Sequence, residues 1–150
     1  MYDVAELPES KLEALLSTLG LLGSLDIGGV ALAPLVVQIA QYNPGTPSTT
    51  SNDRILAIIA SGSNNIANSV QYDDLNVTIV ISSIADRTDS INAKMIALLI
   101  SDTLTDYKDA SVTPDDGDIF GLIPSGVNGP FYEDGGRVVY EVSLSLLINR

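Results

Sequence analysis

The chain of 150 residues has no cysteine and no histidine. Without cysteine there is no disulfide framework and no thiolate to act as nucleophile or metal ligand. Without histidine the commonest general base and metal ligand is missing. Cations are scarce: seven Lys and Arg stand against nineteen Asp and Glu, for a formal net charge of -12. A field of that sign repels nucleic acid and anionic membranes. The start, Met1-Tyr2-Asp3, lacks the basic and apolar pattern of a signal peptide. The longest apolar run, 27–37, is broken by glycines and Pro34 and is too short to span a bilayer. Folding in a cytoplasm is the expectation.

Motifs that carry chemistry are missing too. No glycine run precedes a lysine and a hydroxyl at phosphate-loop spacing, and no dinucleotide fingerprint occurs. Ser125 lies in GLIPSGVNG, which is not a nucleophile elbow. Carboxylates cluster at Asp73-Asp74, at Asp115-Asp116-Asp118 and at Glu133-Asp134. None has calcium-loop spacing, and each falls in an expected loop, where acids are ordinarily solvated. Asn76-Val77-Thr78 matches a glycosylation acceptor only by chance in an expected strand. We therefore expect no enzyme: no catalytic residue, no cofactor and no metal.

What the chain does have is a core. A hydrophobic content of 45% suits a single globular domain over 1–150. The stretch 75–104 organises it. Leu75, Val77, Ile79 and Ile81 alternate with Asn76, Thr78, Val80 and Ser82, the period of a strand. Asp86, Thr88 and Asp89 offer helix caps. From Ile91 the period becomes helical. Ile91, Met95, Leu98 and Leu99 form one stripe, and Ile96, Ile100 and Leu104 extend it around the other side. The polar strip, Arg87, Ser90, Lys94, Ser101 and Thr105, is narrow. A helix with nearly two apolar sides needs a cover on its outer side. We expect a subunit interface there, with Ile96, Ile100, Lys94 and Arg87 in it.

Before this unit, residues 8–19 predict a helix, with Pro8 at its first position, Glu9 at the positive end of the dipole and Gly20 as its stop. Residues 23–33 are glycine-rich and irregular, with room for a short strand. Residues 35–42 and 55–60 read as strands. The run NPGTPSTTSN between them, 43–52, is the strongest loop signal in the chain. The two strands and this run are expected to form a hairpin with an unusually long tip, since such loops usually hold ~2–5 residues. Either it is a passive surface loop or it is an arm that reaches a partner through Asn43, Pro44, Gly45, Thr46, Pro47, Ser48, Thr49 and Thr50.

Residues 61–74, polar and asparagine-rich, are expected as a second loop before the unit; after it the expected loops are 106–118, an acidic connector, and 124–136, with Phe131 and Tyr132 as anchors. A short strand over 119–123 stands between them. The last strand is the clearest: Val138, Tyr140, Val142, Leu144, Leu146 and Ile148 share one side. Gly135-Gly136 before it predicts a tight turn and an antiparallel partner.

The order of elements carries a resemblance, together with Asn128-Gly129-Pro130-Phe131-Tyr132 leading to Gly136-Arg137-Val138-Val139-Tyr140-Glu141-Val142-Ser143-Leu144. In this pattern, over about two-thirds of its length, the chain resembles the tail terminator and tail-completion proteins of tailed bacteriophages. The resemblance implies an α+β fold: a mixed, mainly antiparallel sheet with two main helices packed on it. It implies a homo-hexameric ring at the head-proximal end of the tail tube. Such a ring stops tube growth and joins the tail to the head. The implied partners are further copies of the chain, the tail tube protein and the head-completion or connector protein. DNA would pass through without specific binding, and the setting would be the virion neck, assembled in a host cytoplasm. A head-closure or minor capsid component, and an unrelated small binding module or enzyme, are the alternatives.

Overall fold

A computed structural model describes residues 7–23, 25–27, 29–32, 35–43, 54–64, 72–84, 87–109, 119–133 and 136–149. Over these described residues the fold is α+β, with two helices and a five-stranded mixed sheet that is mostly antiparallel.

The first helix, α1 (Pro8–Thr18), is the one expected. Pro8 starts it, and Leu12, Leu15 and Leu16 bury its inner face. At its end Gly20 adopts a φ of 76°, and Leu21 N–H donates to the Leu16 carbonyl at 3.0 Å. That left-handed residue satisfies carbonyls the helix leaves open. The irregular stretch that follows contains a small antiparallel hairpin, β1 (Leu25–Ile27) and β2 (Val30–Leu32). Leu25 and Leu32, opposite each other, join the main core.

The large sheet holds β3 (Val36–Ile39), β4 (Ile55–Asn64), β5 (Tyr72–Ile84), β6 (Ile119–Glu133) and β7 (Arg137–Asn149), in the order β3-β4-β5-β7-β6. The second helix, α2 (Arg87–Asp109), follows β5. It lies over β5, β7 and β6, while α1 packs on β4. Leu56 and Ile58 of β4, Val77, Ile79 and Ile81 of β5, and Val138, Tyr140, Val142, Leu144 and Leu146 of β7 face the helices. Strand alternation thus makes one face of the sheet apolar, and the helices remove it from water. Fully burying one such side chain is worth about 1.5–3 kcal/mol.

Four expectations about the connections are corrected. First, β3 and β4 pair in parallel, with Val36 opposite Ile55, so they do not form a hairpin. A parallel pair needs a crossover of roughly a dozen residues or more. The connection from Ile39 to Ile55 has that length. Second, β4 runs on to Asn64 and β5 begins at Tyr72, with a register shift between Ser61 and Ser63, so much of 61–74 is strand. Third, α2 continues to Asp109, into the expected acidic connector. Fourth, 124–133 is not a loop. It belongs to β6, which pairs with β7 through three register shifts. Pro124 and Pro130 are tolerated because β6 is the outermost strand and needs no donors on its free side. Gly129, at a φ of 127°, fits where a Cβ would stand 2.9 Å from the Val139 carbonyl. The expected turn before β7 is present: Gly136 has a φ of 80° and its N–H donates to the Glu133 carbonyl at 3.3 Å.

Candidate interaction surfaces

The helix-free face of the sheet is held by a chain of side chains from distant positions. Past β3, Ala40 takes a φ of 61° and turns the backbone. Gln38 then clamps Asn43 twice, donating to its carbonyl at 2.8 Å and accepting from its N–H at 2.7 Å. This places Tyr42 on the small apolar patch of Ala57, Val80 and Val139. Tyr42 Oη donates to Glu133 Oε1 at 2.5 Å, so its contact with Ser82 Oγ at 2.7 Å must be one in which the serine donates. Ser82 Oγ in turn accepts from Arg137 Nε at 2.9 Å. The hydrogen bonds all run one way, from guanidinium through two hydroxyls to a carboxylate, and such chains polarise one another. Burial pushes the Tyr42 hydroxyl above its ordinary pKa, and the hydrogen bond to Glu133 adds to that shift. Ser82 and Arg137 are buried. We read this cluster as a structural tie between the β3 exit and the β6–β7 turn.

Of the expected partner loop, Asn43 is exposed and fixed by Gln38. Pro44, Gly45, Thr46, Pro47, Ser48, Thr49 and Thr50 lie outside the described residues. The anchor of the crossover is therefore Tyr42, one residue before the expected arm.

The expected helix interface is corrected. Ile96 and Ile100 are both 0% exposed and sit in the core of one chain, against the sheet. Ala93, Ala97 and Leu104 join them on that side. Ser101, expected on the polar strip, is buried as well. The outer side carries Thr88, Ile91, Lys94, Leu98, Asp102 and Thr105. Ile91 is 50% exposed and Leu98 42%. Lys94 is exposed as expected, and Arg87 is the first residue of the helix. The small residues decide the orientation. Ala93 and Ala97 let the helix axis come close to the sheet, whereas a large residue there would hold it away.

The outermost strand β6 also exposes large apolar side chains, on both faces of the sheet. Ile123 and Phe131 are half exposed, and Tyr132 is 74% exposed. The two aromatics are not anchors. Phe131 stands opposite Val139 on the helix-free face, and Tyr132 stands opposite Val138.

The cations that the structure describes are largely engaged. Arg54 pairs with Asp89 at 3.2 Å, and Arg137 is buried with Ser82. Among the described residues no three carboxylates come together in a way that could hold a metal ion. Among them, too, no helix is long and apolar enough to cross a membrane. No protein-family model matches the chain, and no curated protein matches it.

Proposed function

We propose that this chain is a structural subunit of the virion neck, of the phage tail terminator kind. Its copies form a ring, six-fold by the resemblance, on the head-proximal end of the tail tube. The ring stops tube polymerisation and joins the tail to the head connector. The observation that carries this reading is the outermost strand. β6 exposes Ile123, Phe131 and Tyr132 within and beside the segment that bears the resemblance. Large apolar side chains held in water on a rigid strand suit a protein–protein contact. A closed ring repeats one heterologous contact and so needs two different surfaces on each subunit. The sheet ends in two unlike strands, the four-residue β3 and the fifteen-residue β6.

The charge fits a conduit. With a net charge of -12 and its described arginines engaged, the chain offers phosphates little to hold. DNA would slide past it and not be bound. Mass measurement in solution with negative-stain imaging tests the reading, followed by binding to tail-tube rings. A six-fold ring that caps tube protein is expected. A monomer at high concentration would overturn it, and a ring that binds only the portal side would make the chain a head-closure component.

A further inference from the structure

The outward row of α2 has an order that its place on the surface does not require. Its members with described side chains, Ile91, Lys94, Leu98, Asp102 and Thr105, follow at spacings of 3, 4, 4 and 3, the same in both directions, and the sequence continues the spacing by 4 to positions 87 and 109. At about 100° per residue these seven positions stay within about 40° of Leu98 on the helix. Leu98 is the midpoint of the 23-residue helix. Reflection through it exchanges charge: Lys94 goes to Asp102, and the terminal positions Arg87 and Asp109 exchange likewise. Among the residues whose side chains are described, Ile91, Lys94, Leu98, Asp102 and Thr105 are all exposed.

We infer that this face docks on α2 of a second copy, antiparallel, about a two-fold axis at Leu98. In that arrangement Leu98 meets its own counterpart and Lys94 meets Asp102 of the other copy, twice by symmetry. Ile91 meets the methyl-bearing Thr105. Helices pack at ~8–10 Å between axes, a separation that lets lysine and aspartate reach across a central leucine pair. A parallel arrangement would set Lys94 against Lys94 and Asp102 against Asp102, so the charge order selects the antiparallel one. The exposed apolar pair Ile91 and Leu98 supplies the surface to be covered. An isologous contact of this kind cannot close a ring. It pairs free subunits or sets two rings face to face, and it stands or falls independently of the ring reading.

The chain has no cysteine, so one introduced thiol reports on one position. Leu98→Cys oxidised in air should give a disulfide-linked dimer at least tenfold faster than Asn76→Cys, a control at another exposed site. The two thiols meet only if the axis passes there. Adding Lys94→Glu or Asp102→Lys to Leu98→Cys should each slow the reaction at least tenfold. An equal mixture of those two double variants should restore it. In the mixed dimer the introduced glutamate faces the introduced lysine, and the unaltered Asp102 faces the unaltered Lys94. Circular dichroism checks that each variant is folded. Cross-linking no faster than the control overturns the inference. So does cross-linking indifferent to both charge reversals, or one that the mixture fails to restore. A ring image tests only the other reading, so the two failures are distinguishable.

Discussion

The two sides of α2 hold similar apolar residues and meet opposite surroundings. Ile96 and Ile100 are fully buried against the sheet, while Leu98, between them in sequence, is 42% exposed. At about 100° per residue, Leu98 lies opposite the mean direction of its two neighbours. The difference between the sides is not the count of large side chains. The inner side has Ala93 and Ala97 beside Ile96 and Ile100; the outer has Lys94 and Asp102 beside Ile91 and Leu98. Small residues mark where a helix approaches a sheet, and opposite charges mark where it meets water or a partner.

The faces of the sheet form a second contrast. One is a dry aliphatic surface under two helices. The other is partly covered by Tyr42 and tied by Arg137, Ser82 and Glu133.

The largest effect that separates these regions should come from the dry face. Ile79→Ala, at a fully buried site, should cost about 2–5 kcal/mol in urea unfolding. A loss under about 1 kcal/mol would mean that the helices do not cover this face. Arg137→Ala should cost roughly 1.5–3 kcal/mol, since it removes a charged donor from a buried bond to Ser82. Little change would reduce the tie to a surface contact.

Tyr42→Phe should cost about 1 kcal/mol, the net worth of an ordinary hydrogen bond. It should also flatten the alkaline limb of stability. Tyr42 is raised above the ordinary value of 10.0, so the folded chain keeps a proton that the unfolded chain has released. Stability from Tyr42 is full below pH about 10 and falls as the pH climbs from there through the folded value. Unfolding titrated against pH in wild type and Tyr42→Phe reads the difference. The smallest effect belongs to the outer side of α2, where Ile91→Ala should change stability by about 0.5 kcal/mol or less in dilute protein.

Much of this was legible in order along the chain, because period and punctuation are local. The helix of Leu12, Leu15 and Leu16, the alternation of Val77, Ile79 and Ile81, and the long strand from Val138 to Leu146 all rest on neighbours a few residues away. β6 was not legible beyond Ile123, because Pro124, Gly126, Gly129 and Pro130 signal turns. An outermost strand with three register shifts absorbs them. The parallel pairing of β3 and β4 was hidden for a related reason: a long polar run looks the same as a hairpin tip or as a crossover. The Tyr42 tie could not be read at all. Its partners Ser82 and Glu133 lie 40 and 91 residues away, and nothing local joins them. The helix itself was legible but its facing was not, because large apolar residues ring it and the sides differ only by Ala93 and Ala97 on one and Lys94 and Asp102 on the other.

The facing of α2 is the claim on which both the core and the outer surface depend. Urea unfolding of Ile100→Asp and Leu98→Asp, side by side in dilute protein, tests it most directly. We expect Leu98→Asp to unfold within about 0.5 kcal/mol of wild type. Ile100→Asp should be unfolded without denaturant or nearly so, because a carboxylate cannot be buried there without a partner. A folded Ile100→Asp beside an unfolded Leu98→Asp would turn the helix around and contradict the account.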